Sequence, residues 1–135
     1  MKILHGTWIY PVRSIRSRNY KLIWNLNCTE PFQNVLTANG QRNDYWSAWK
    51  RAARNGNATA KQLVDTYQQR PEFEFYDLQN DPYELHNRAE EPRFAPQIAA
   101  LKKELDDWMK QQRDEGIVTE DAAKPHRTQR APDGP

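Results

Sequence analysis

Cysteine is almost missing from this chain. Cys28 is the only one in 135 residues, so no disulfide can close within it. The flanking NLNCTEPF supplies Glu30 but no histidine, and a nucleophilic thiol needs a nearby base to lower its pKa. A structural thiol is the expectation. Glycine is scarce as well, with five in all. None belongs to a phosphate-cradling glycine loop or to a Gly-x-Ser-x-Gly elbow. The three histidines, His5, His86 and His126, lie far apart and have no second cysteine beside them. No metal-ligand spacing results. No apolar run approaches the roughly 18 residues of a membrane span. The brief apolar patch in Met1–Pro11 is broken by Gly6 and does not read as a signal peptide.

Charge excess is also small. The net charge is +2, whereas a nucleic-acid binder gathers basic residues on one face. No nucleic-acid partner and no membrane are expected. Arg13, Arg16, Arg18 and Lys21 do cluster near the start. The plain reading is the solvated face of a hairpin, and the alternative is an anion-binding rim. Asn27-Cys28-Thr29 and Asn57-Ala58-Thr59 fit the glycosylation acceptor pattern, which chance often produces.

Aromatic residues are plentiful by contrast. Five Trp and six Tyr argue against wholesale disorder and must supply much of a core, because only 37% of the chain is hydrophobic. The length suits one domain. Val12 to Ser17 and Tyr20 to Leu26 read as a hairpin with its turn at Arg18-Asn19. Tyr20, Leu22, Trp24 and Leu26 recur at period two. Asn27 to Asn43 reads as a surface loop. Asp44 to Arg54 and Ala58 to Gln69 read as helices separated by Asn55-Gly56-Asn57. Phe94, Ile98, Leu101, Leu105, Trp108 and Met109 form an apolar stripe of helical period, with Gly116 as its terminating cap. After Gly116 the sequence turns polar.

Arg70 to Asn87, RPEFEFYDLQNDPYELHN, ties these pieces together. Phe73, Phe75 and Tyr76 favour a strand. Asn80-Asp81-Pro82 ends it in a turn. Asp77, Asp81 and Glu84 have the pattern of turn and cap groups. As a cation site, an Asp-x-x-x-Asp-x-x-Glu turn is a weak signal. The fold expected is α+β: a small antiparallel sheet of three to four strands packed by a long C-terminal amphipathic helix, with a helical insertion between strands. Residues 1–116 would form the domain and 117–135 a polar tail that is flexible or packs on another surface.

Phe75-Tyr76-Asp77-Leu78, Asp81-Pro82-x-Glu84 and Asn87 resemble the "LYDLxxDPxExxNLA" signature in the C-terminal region of sulfatases. Arg88 stands where that signature has Leu. Tyr10 to Arg16 with Tyr20 to Leu26 is similar to the "YPMRxVRTxRYKLIWNL" hairpin of heparan N-sulfatase-like (N-sulfoglucosamine sulfohydrolase-like) enzymes. The likeness keeps order and spacing from about His5 to about Asp114.

This resemblance implies a C-terminal, non-catalytic domain that leans on a catalytic α/β domain. That larger domain would hold calcium and the formylglycine made from a Cys-x-Pro-x-Arg motif. Thr29-Glu30-Pro31-Phe32 follows Cys28, so the motif is not matched there, and no catalytic residue carries over. By the same resemblance the partner is a sulfatase catalytic domain, the substrate a sulfated glycan, and the full-length relatives exported, periplasmic or lysosomal. His5, Arg13 and Arg16 are the candidates for a substrate rim. The alternative for the arginines is pairing with Asp77 or Glu74 across the sheet. The alternative for the whole chain is a stand-alone interaction or glycan-binding module.

Overall fold

The computed structural model describes residues 10–34, 37 and 44–128. They fall into two compact units. One joins the chain up to Asn27 with the chain from Glu72 onward, and the other is Cys28–Pro71.

The first unit is built on three strands, β1 (Val12–Arg16), β2 (Tyr20–Asn25) and β3 (Phe73–Asp77), in the order β1-β2-β3 and antiparallel throughout. The β1–β2 turn is Arg18-Asn19, as expected. The Ser17 N–H donates to the Tyr20 carbonyl (2.9 Å), and Ser17 Oγ accepts from the Tyr20 N–H (3.0 Å). The register places Ile15 opposite Leu22 and Leu22 opposite Phe75. Side chains alternate between faces along a strand. One face therefore carries Ile15, Tyr20, Leu22, Trp24, Phe73 and Phe75, of which Tyr20, Leu22 and Trp24 belong to the period-two pattern.

Helix α3 (Ala95–Gln111) covers that face, entered through a 3-10 turn at Pro92–Phe94. Leu22, Phe75, Phe94, Ile98 and Leu101 form the buried core, with Tyr20, Phe73 and Ile15 packed against it. The Phe75 ring lies 5.3 Å from both Tyr20 and Phe94. Trp24 stacks on Phe73 at 5.8 Å, and Lys102 Nζ sits 3.5 Å from the Phe73 ring centroid. Leu22 and Phe75 are wholly buried, each stabilising the fold by about 1.5–3 kcal/mol.

Two expectations need correcting. Trp108 does not face the core. It is 50% exposed, because the stripe from Leu105 continues to buried Met109 and leaves Trp108 at its margin. Gly116 does not cap α3. The C-cap is Gln112, followed by Arg113 in the left-handed region at φ 55°. The Asp114 N–H reaches back to the Met109 carbonyl (2.8 Å) and the Arg113 N–H to that of Lys110 (3.1 Å), a Schellman closure. Gly116, at φ 65°, sits instead at the entry to a further helix. A Cβ there would stand 3.5 Å from Leu26 Cδ2.

That helix, α4 (Ile117–Thr128), occupies the polar segment that was expected to be flexible or to pack on another surface. Two side chains shape its start. Asp114 Oδ1 accepts from the Gly116 N–H (2.9 Å), and Thr119 Oγ accepts from the Glu115 N–H (2.7 Å). Residues 129–135 lie outside the described part.

The second unit is a helical hairpin, α1 (Asp44–Arg54) and α2 (Ala58–Gln68). Gly56, at φ 89°, makes the tight link. Asn57 Oδ1 then caps α2 by accepting from the Ala60 N–H (2.9 Å). Tyr67 is the hub. Its ring lies 5.4 Å from Phe32 and 5.3 Å from Trp46, and its hydroxyl accepts from Asn34 Nδ2 (2.8 Å). The Arg70 guanidinium stands 3.9 Å from the Phe32 ring centroid. Val64 is buried here, while Leu63 is 45% exposed. No helix among the described residues is long and apolar enough to cross a membrane.

Candidate functional site

The stretch after β3 folds as a chain of side-chain-to-backbone caps. The Asp77 carboxylate accepts from the Gln79 N–H (3.2 Å) and from Asn80 Nδ2 (2.8 Å). The bond from Asn80 is the main reason its pKa lies below the usual carboxylate range. Asp81 follows the same logic one turn on. Oδ1 accepts from the Leu85 N–H (3.1 Å) and Oδ2 from the His86 N–H (2.8 Å), and the Leu85 bond leads in lowering its pKa. Within the turn that Asp81 closes, Glu84 takes a left-handed conformation, φ 55°, and its carboxylate pairs with Lys21 Nζ at 2.7 Å.

Asn87 closes the stretch. Its Oδ1 accepts from the Phe75 and Ala89 N–H groups, both at 2.9 Å, and its Nδ2 donates to the Phe73 carbonyl (3.3 Å). The Arg88 N–H donates to the Phe75 carbonyl (2.8 Å). These bonds cover the outer edge of β3, which would otherwise present unpaired backbone groups. Asp77, Asp81, Glu84 and Asn87 are thus engaged in architecture. Among the described residues no group of three or more His, Cys, Asp or Glu is arranged to hold a metal ion.

The rim candidates separate. Arg13 lies on the α3-covered face of the sheet, where its Nε donates to Asp114 Oδ2. Its Nη2 donates to Asp114 Oδ1 (3.0 Å) and to Glu120 Oε1 (2.9 Å). The guanidinium is 15% exposed. It clamps the segment after α3 and the first turn of α4 to β1. This pairing holds the Asp114 carboxyl below its ordinary pKa and raises that of Arg13. The sequence offered Asp77 or Glu74 as partners, and the structure replaces both. Glu74 instead accepts from Asn25 Nδ2 (2.7 Å) and from the Tyr76 hydroxyl (2.5 Å) on the opposite face.

Arg16 is three residues from Arg13 on the same strand, so it points to the other face. It is exposed and opposes Lys21 in register. Like charges placed opposite repel, and the Lys21–Glu84 pair relieves part of this. Arg16 has no ion pair among the described residues. His5 lies outside them.

Three characterised proteins match this chain over most of its length. An ulvan-active sulfatase of Formosa agariphila is 35% identical over 106 residues, covering 78% of this chain and 18% of that protein. The human N-sulphoglucosamine sulphohydrolase is 30% identical over 129 residues, covering 85% of this chain and 23% of that enzyme. The chain is a relative of sulfatases. A second ulvan-active sulfatase of the same bacterium is 26% identical over 98 residues, or 73% of this chain and 16% of its own length. This sulfatase relative therefore spans about a fifth of the curated proteins it matches. No family model matches it.

Proposed function

We propose that this sulfatase relative is the C-terminal, non-catalytic part of a sulfatase acting on sulfated glycans, akin to N-sulphoglucosamine sulphohydrolase. In this reading it packs on a catalytic α/β domain and completes the rim of its substrate cleft. Calcium and the formylglycine nucleophile belong to that other domain. One observation carries the reading. The matched region folds as a sheet-and-helix unit whose carboxylates cap turns or pair with Arg13 and Lys21, with no group of three or more His, Cys, Asp or Glu arranged to hold a metal among the described residues.

The chain's chemical contribution is positional. Arg16, with no ion pair among the described residues, offers its guanidinium at the end of β1, suited to bidentate contact with a sulfate. Arg13 secures the helices behind that strand. His5 is the further rim candidate.

A chimera tests this: the chain replaces its matching region in the first ulvan-active sulfatase. The expected result is a folded enzyme that hydrolyses sulfated substrate, with KM raised by Arg16→Gln while kcat holds. A folded chimera without activity would contradict the reading.

A further inference from the structure

We propose that the exposed face of α1 is a binding platform for a sulfated saccharide, separate from the rim on β1. The choice of a sulfated sugar over other anions rests on the function proposed above. On a 3.6-residue repeat one side of α1 runs in an arc from Arg54, Ser47 and Arg51, across exposed Ala48 and half-buried Ala52, to Tyr45 and Trp49, with the position of Asp44 falling in the same arc at the first turn. Tyr45 is 72% exposed and Trp49 45% exposed. They stand one turn apart on the same side of the helix. Arg51 and Arg54 are exposed, with no ion pair among the described residues.

Charge is concentrated here. From Cys28 to Pro71 the sequence holds six Lys and Arg against three Asp and Glu, a local excess of three in a chain of net charge +2. Lys61 is paired with Asp65, and Arg70 lies over Phe32. Among the described residues of this unit, the cations without an ion pair or ring partner thus gather on α1. Its only acid, Asp44, is at the opposite end.

The chemistry of the two edges is complementary to one ligand class. An aromatic ring packs against the apolar face of a pyranose. A guanidinium pairs with sulfate oxygens in bidentate fashion. The alanines between leave room for the sugar to lie flat from one edge to the other. A helix docking on α1 would call for a continuous apolar stripe, which the arginines interrupt. A single-stranded nucleic acid uses similar parts, so it enters the test as a competitor.

The full chain is titrated with a heparin hexasaccharide, its desulfated counterpart and an oligothymidylate of matched charge, following tryptophan fluorescence. Saturable, salt-weakened binding of the sulfated sugar is expected. The pair Arg51→Gln with Arg54→Gln should weaken it about tenfold or more, and Trp49→Ala about threefold. Lys61→Gln with Lys103→Gln removes two exposed charges elsewhere and should leave affinity within about twofold, as general screening predicts. Circular dichroism checks that every variant is folded. Equal losses in both double variants, equal or tighter binding of the oligothymidylate, or no saturable binding would overturn the proposal. The two readings fail separately. An inactive folded chimera with binding on α1 intact rejects the sulfatase role alone. An active chimera whose parent chain binds the hexasaccharide regardless of Arg51 and Arg54 rejects the platform alone.

Discussion

Asn87 holds the outer edge of β3 through Phe75: its side-chain oxygen accepts from the Phe75 N–H at 2.9 Å, while the Phe75 ring is wholly buried on the α3 side. One polar side chain thus anchors the strand that carries the centre of the core. Asn87→Ala leaves the Phe75 N–H without this acceptor and removes the donor to Phe73. A loss of about 1–3 kcal/mol is expected in urea unfolding. Asn87→Asp keeps the acceptor but not the donor and should cost less.

The Arg13 clamp joins residues more than a hundred positions apart. Arg13→Ala leaves Asp114 and Glu120 as little-exposed carboxylates facing each other, and about 3 kcal/mol should be lost. Hydrogen exchange should show α4 opening before the sheet does, because the clamp ties α4 to β1.

The same clamp sets a pH dependence. The Asp114 carboxyl lies below its ordinary pKa in the folded chain, mainly through Arg13. Its stabilising share is therefore complete above the unfolded carboxylate pKa of about 4. It is lost as pH falls through the lower folded value. Asp77 and Asp81 are shifted the same way by their turn bonds. Stability should be level near neutrality and fall in acid, and Asp114→Asn should flatten part of that fall.

Arg113 pays the steric cost of a left-handed conformation at the end of α3. Glycine adopts that region freely. Arg113→Gly should raise Tm by a few degrees, the equivalent of up to about 1 kcal/mol. Arg113→Val should lower it.

The sheet and α3 were legible because their signals are local. Tyr20, Leu22 and Trp24 alternate, and Ile98, Leu101 and Leu105 recur at helical spacing. The capping roles of Asp77 and Asp81 could be read for the same reason, since their partners lie within five residues. Helix α4 could not. Its segment has few apolar residues and includes Pro125, and its anchor is Glu120 pairing with Arg13 across the sequence. Nor did local spacing reveal that Asp114 would supply the Arg13 partner, or that Glu74 would turn to Asn25 and Tyr76. Placing Arg13 and Arg16 on one rim overlooked strand alternation, which sends residues three apart to opposite faces.

In the proposed function this chain's polar groups build and position, and catalysis belongs to another domain. The most direct measurement is hydrolysis of an aryl sulfate by the purified 135-residue chain with calcium present, beside its Cys28→Ala variant. The account predicts no turnover above buffer for either protein. Turnover by the unaltered chain that disappears in Cys28→Ala would contradict it.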